Sequence, residues 1–125
     1  MVRILLIDDS ESLLFVIEQV LLSGGHEVVA RHSSAEALGL LEADARFDVI
    51  VTDMYMPPPD GFEIMQAARN RPSPVPLIVM STNPLACDVF RAARAMGAVD
   101  TLQKPFPPEK LLRAVSAAVS RHRAV

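Results

Sequence analysis

Ile4-Leu5-Leu6-Ile7-Asp8-Asp9 is the stretch on which the reading turns: an unbroken apolar run closed by two carboxylates. The run is strand-length rather than helix-length, and no polar residue alternates within it. A strand of that kind needs cover on both faces, which is the situation inside a parallel sheet. The same grammar recurs down the chain. Val49-Ile50-Val51-Thr52 ends in Asp53, Leu77-Ile78-Val79-Met80 ends in Ser81, and Val99-Asp100-Thr101-Leu102 runs up to Lys104. A less apolar strand is expected near His26 to Ala30.

Between these runs the period changes from strand-like to helical. Residues 10 to 22 put Leu13, Val16, Ile17, Val20 and Leu21 on one stripe, which predicts an amphipathic helix with that stripe inward and a stop at Gly24-Gly25. Ser33 with Glu36 has capping-box spacing and opens a helix that turns Ala37, Leu38 and Leu41 to the core. Met56-Pro57-Pro58-Pro59-Asp60-Gly61 is neither helix nor central strand, because proline fixes φ and lacks an N–H. It is a stiff loop before a helix near Phe62 to Arg69, and Pro72, Pro74 and Pro76 make the return. A helix from about Pro84 to Met96 stops at Gly97, and Pro107-Pro108 open a last helix with Leu111, Leu112, Val115 and Val119 inward. Five strands alternating with five helices predict a doubly wound α/β fold on a parallel sheet.

Composition bounds the rest. A chain of 125 residues with half of them apolar makes one domain, 1–125, without repeat or linker unless Ser120 to Val125 begins one. The formal charge of -3 and the scattered Lys and Arg argue against direct nucleic-acid binding. One cysteine, Cys87, excludes an internal disulfide. No apolar run reaches membrane-spanning length and the start has no signal-peptide pattern, so a cytoplasmic protein is expected.

In open α/β sheets the site lies beyond the carboxyl ends of the strands, where Asp8, Asp9, Asp53, Ser81 and Lys104 all fall. Singly, each has a plain explanation: Asp9 or Ser10 caps the helix that follows, Asp53 starts the proline loop, and Lys104 is solvated. Their coincidence is harder to dismiss. Carboxylates 4 Å apart repel by about 1 kcal/mol per pair in water and several times that near a protein surface, so a cation is required. Mg²⁺ is held by a few carboxylates while keeping waters and open positions for phosphate oxygens, and Mn²⁺ substitutes; Ca²⁺ is the weaker fit. A carboxylate beside such an ion also serves as nucleophile toward phosphorus, and Asp53, facing the loop, is the candidate. Ser81 and Lys104 then neutralise the phosphoryl oxygens.

The acidic pair Asp8-Asp9, the segment Asp53-Met54-Tyr55-Met56-Pro57-Pro58-Pro59-Asp60-Gly61, Ser81, and Lys104-Pro105-Phe106 together resemble the receiver domain of two-component response regulators, of the chemotaxis-regulator kind, from about Arg3 to Arg121. The resemblance implies a flavodoxin-like (βα)5 fold with strand order 2-1-3-4-5. It implies a signalling switch, not an enzyme beyond its own phosphorylation and dephosphorylation, in which Asp53 accepts a phosphoryl group from a sensor histidine kinase or histidine phosphotransfer protein. Asp9 would ligate the metal directly, Asp8 largely through water, and the Tyr55 backbone carbonyl would complete the protein's share. Lys104-Pro105 would be cis. A downstream protein partner is implied, and a homodimer through the face of helix four, strand five and helix five is open to it.

The chain departs from the family pattern at Thr101, where an aromatic switch residue is usual, and at Thr82, where a small residue is usual; Tyr55 and Asn83 occupy positions that in similar domains tune phosphoryl lifetime. Ser81 and Thr101 are therefore the expected switch pair, the second with no ring to move. Two other classes fit the residues less well. An aspartate-nucleophile phosphohydrolase wants a second Asp two residues on, where Tyr55 stands, and a substrate cap. A flavin-binding module wants a Ser/Thr/Gly-rich phosphate loop where Asp8-Asp9-Ser10-Glu11 stands. His26, His32 and His122, and the scattered arginines Arg91, Arg94, Arg113, Arg121 and Arg123, read as surface residues.

Overall fold

The computed structural model describes residues 2–43, 45–83 and 87–124. In chain order the elements are β1 (Arg3–Ile7), α1 (Glu11–Ser23), β2 (Glu27–Arg31), α2 (Ser34–Glu42), β3 (Val49–Asp53), α3 (Gly61–Arg69), β4 (Leu77–Ser81), α4 (Cys87–Ala95), β5 (Asp100–Gln103) and α5 (Pro108–Ala124). All pairings are parallel and the sheet order is β2-β1-β3-β4-β5, as expected. Pro84, from which the fourth helix was expected to start, lies outside the described residues.

Strand alternation splits the apolar residues between two layers. Ile4, Leu6, Val49, Val51, Ile78, Met80 and Leu102 face α1 and α5 on one side. Leu5, Ile7, Ile50, Leu77 and Val79 face α2, α3 and α4 on the other. Every residue of β3 and β4 is buried, which is why those strands read as continuous apolar runs.

One helix face differs from expectation. In α1 the buried positions are Leu14, Ile17 and Leu21, whereas Leu13 and Val16 are exposed, together with Phe15 at 61% and Leu22. The apolar arc of the segment is wider than the face that packs, so its period fits more than one stripe. The stripe against β1 and α5 is chosen by tertiary packing. Val20 is partly buried against the same layer. The last helix is as read, with Leu111, Val115 and Val119 buried and Leu112 packed at the edge.

The loops that end at the carboxyl edge are fixed by local hydrogen bonding. Ser33 Oγ accepts the Glu36 N–H at 3.2 Å. Asp60 and Glu63 form a full reciprocal capping box at the start of α3. Gly61 opens that helix in contact with Met54, where an added Cβ would come within 2.8 Å of the Met54 Cα. Gly97 closes the α4 segment at φ +113°, a conformation open to glycine. Lys104-Pro105 is cis, as is Pro58-Pro59.

Candidate functional site

β1 is flanked by β2 on one side and β3 on the other, so the connections that leave it diverge at its carboxyl end. Such a divergence opens a crevice beyond the strand ends. Asp8 and Asp9 lie past the end of β1, Asp53 is the last residue of β3, Ser81 the last of β4, and Lys104 follows β5. All five residues thus meet at one edge because parallel strands end together.

Ser10 caps α1: it is the N-cap residue, and its Oγ accepts the Leu13 N–H. That assignment relieves Asp9 of the capping role. Asp8 is fully buried; its Oδ1 accepts the Ser10 N–H at 3.0 Å and its Oδ2 meets Lys104 Nζ at 2.7 Å. Asp53 Oδ1 accepts the Tyr55 N–H at 3.2 Å and its Oδ2 meets the same ammonium at 3.1 Å. Asp9 is exposed beside them, and one carboxylate oxygen from each of Asp8, Asp9 and Asp53 lies within 4.8 Å of the others. Three carboxylates against one ammonium leave the cluster at 3 − 1 = 2 uncompensated negative charges. Hard oxygen donors with that excess suit a divalent cation of the Mg²⁺ type.

Burial raises the Asp53 carboxyl above its ordinary value; Lys104 pulls it back, the Asp8 charge pushes it up again, and the Tyr55 N–H lowers it. For Lys104 burial is the largest single influence and acts downward. The hydrogen bonds and charges of Asp8 and Asp53 together outweigh it, so the ammonium sits above its usual range. Lys104 is held charged between two carboxylates that need it.

Tyr55 is half exposed at the mouth of the site. Ser81 is buried and its Oγ accepts the Asn83 N–H at 3.0 Å. Thr101 lies in β5, away from this cluster, and its hydroxyl accepts from Arg94 of α4 at 3.1 Å. Arg94 also pairs with Asp100 at 3.2 Å, so this arginine ties α4 to β5 and is not simply a solvated surface residue. His26 and His32 flank β2 and His122 lies in α5, and His32 meets Glu11 at 3.5 Å.

Four contributing residues, Ser34, Gln103, Asp60 and Glu63, carry roles beyond those expected from the sequence. The Ser34 hydroxyl donates to the Pro57 carbonyl at 3.0 Å and so anchors the proline loop to α2. Gln103 donates its side-chain amide to the carbonyls of Ser81 and Asn83. Asp60 and Glu63 carry their spacing openly in the sequence and could have been found by it; Ser34 and Gln103 carry no local signal, since their partners are 23, 22 and 20 residues away.

Residues 4–116 match the response regulator receiver domain family. The response regulator protein FleR of Pseudomonas aeruginosa is 36% identical over 116 residues, covering 91% of this chain and 24% of FleR. A receiver domain protein from Clostridium thermocellum superposes with a TM-score of 0.91 at 30% identity, covering 99% of this chain and 98% of that one. The receiver domain of the sensor histidine kinase PA1611 from Pseudomonas aeruginosa, solved with a magnesium ion coordinated in its active-site cleft, gives a TM-score of 0.83 at 30% identity over 95% of this chain and 98% of that one. The chain belongs to the response regulator receiver domains of two-component systems. It spans a quarter of FleR and about half of other curated response regulators that it matches. No helix among the described residues is long and apolar enough to cross a membrane.

Proposed function

We propose that this chain is a phosphorylation-dependent switch in which Asp53 takes a phosphoryl group from a phosphohistidine of a sensor histidine kinase or histidine phosphotransfer protein and passes the signal on by protein contact. The observation that carries the reading is Lys104 Nζ held by both Asp8 and Asp53 at the strand switch, inside a cluster that still lacks two positive charges. Asp8, Asp9 and Asp53, with the Tyr55 carbonyl, would hold Mg²⁺, Mn²⁺ being an alternative. When bound, that ion neutralises the carboxylates and draws charge from the phosphoryl oxygens.

The residues of the chain do the rest. An Asp53 carboxylate oxygen attacks phosphorus, the P–N bond to the donor imidazole breaks, and the electron pair of that bond stays with the imidazole, which takes up a proton. Lys104, released from part of its contact with Asp53, pairs with the phosphoryl group, and Ser81 donates its hydroxyl proton to a phosphoryl oxygen. Such a transfer asks for positioning and charge neutralisation, which buried groups on rigid strand ends supply. Residues 1–125 make a single receiver unit in this reading, working in the cytoplasm, with autophosphorylation and autodephosphorylation as its only chemistry and no direct nucleic-acid contact of its own.

Acetyl phosphate provides the test. The protein should take up one acid-stable, base-labile phosphate at Asp53, and only with Mg²⁺ or Mn²⁺ present. Stoichiometric labelling of Asp53→Asn would remove Asp53 as the acceptor.

A further inference from the structure

Ser81 ends β4 and Lys104 follows β5, the neighbouring strand, and the two must reach one phosphoryl group together. Their backbones are joined directly: the Lys104 N–H donates to the Ser81 carbonyl at 2.7 Å. Gln103, paired in register with Ser81, adds a side-chain clasp. Its Nε2 lies 3.0 Å from the Asn83 carbonyl, 3.3 Å from the Ser81 carbonyl and 3.5 Å from its neighbour Lys104's carbonyl. Three acceptors around one amide leave no choice of orientation, because the nitrogen and not the oxygen must face them.

The clasp reaches Ser81 through Asn83. Both backbone groups of Asn83 are engaged: its carbonyl accepts from Gln103, and its N–H donates to Ser81 Oγ at 3.0 Å. A hydroxyl that accepts a hydrogen bond at one of its two lone pairs keeps its own proton free to donate, and it becomes a better donor. Among the described residues, the Ser81 proton has no acceptor in the protein. We propose that Gln103 is a positioning residue for the phosphoryl group: by pinning Asn83 it fixes the Ser81 hydroxyl as a donor facing the site. The inference rests on Asp53 as phosphoacceptor and goes beyond it by assigning the group that sets the polarity of Ser81.

The test uses beryllofluoride, a phosphoryl mimic, titrated at saturating Mg²⁺ and followed by fluorescence of Tyr55, the chain's single tyrosine. Gln103→Leu removes the donors with a side chain one atom shorter; Gln103→Glu keeps the shape and removes them too. Both should bind beryllofluoride about three- to tenfold more weakly, the scale of one or two lost hydrogen bonds, while Mg²⁺ alone binds as to the parent protein. In a Ser81→Ala background, Gln103→Leu should cost nothing more. Unchanged beryllofluoride affinity, an equal loss on the Ser81→Ala background, or a parallel loss of Mg²⁺ affinity would each overturn the proposal. If the parent protein binds Mg²⁺ but no beryllofluoride, the phosphoacceptor reading fails before any substitution is made, and the role of Gln103 fails with it.

Discussion

Lys104 and its two carboxylates decide the behaviour of the site at the scale of single residues. The Asp53 carboxyl is buried and its ordinary value is raised, so its ionised form costs the folded state something at neutral pH. Without a divalent cation, Asp53→Asn should therefore melt higher than the parent, by about 1 kcal/mol, the scale of one like-charge contact at 4 Å in water; Lys104 keeps Asp8 as its partner. Thermal melts in chelator check this, and a lower melting temperature for Asp53→Asn would sink it. The pH dependence has its own sign. The Lys104 ammonium is raised in the fold, so the folded state holds that proton more tightly than the unfolded chain does. Its contribution is complete below the unfolded value of about 10.5 and is lost as pH climbs through the higher folded value. Urea titrations from pH 9 to 12 should show a loss of stability in the parent that is shallower in Lys104→Met; equal slopes would refute it.

Among the elements, α1 shows where sequence and structure part. Leu14 is buried and Val16 is 57% exposed, so Leu14→Ala should cost about 2–5 kcal/mol and Val16→Ala less than about 0.5. Denaturant midpoints decide, and similar costs would restore the stripe that the period suggested. Strand ends, turn prolines and stop glycines were all legible, because each rests on local chemistry: an apolar run closed by Asp, a missing N–H, a positive φ. So was the convergence of Asp8, Asp9, Asp53, Ser81 and Lys104, since parallel strands that end in polar residues must bring them to one edge. The edge of the α1 face was not legible: Ile17 and Leu21 are buried as expected, but the apolar arc that also holds Leu13, Leu14, Val16 and Val20 is wider than the face that packs, and the period alone does not choose Leu14 over Leu13 and Val16. The Arg94 tie to Asp100 and Thr101 was hidden for another reason: it depends on where α4 lies over β5.

In the whole molecule the sheet is a wall shared by two apolar layers. Ile4 and Val49 are register partners within one layer, while Ile50, next along the chain from Val49, belongs to the other. Neighbours in sequence are therefore strangers in packing. Energetic additivity follows from who shares partners and not from proximity along the backbone. Ile4→Val combined with Ile50→Val should add within about 0.3–0.5 kcal/mol, whereas Ile4→Val with Val49→Ala should miss additivity by more than that. Denaturant unfolding of the singles and doubles measures both, and coupling as strong across the sheet as along one face would contradict it. The consequence is evolutionary. Each layer can drift in side-chain volume almost as a separate protein would, so long as the backbone between them keeps its register, and the polar edge that both layers support need never be disturbed by either.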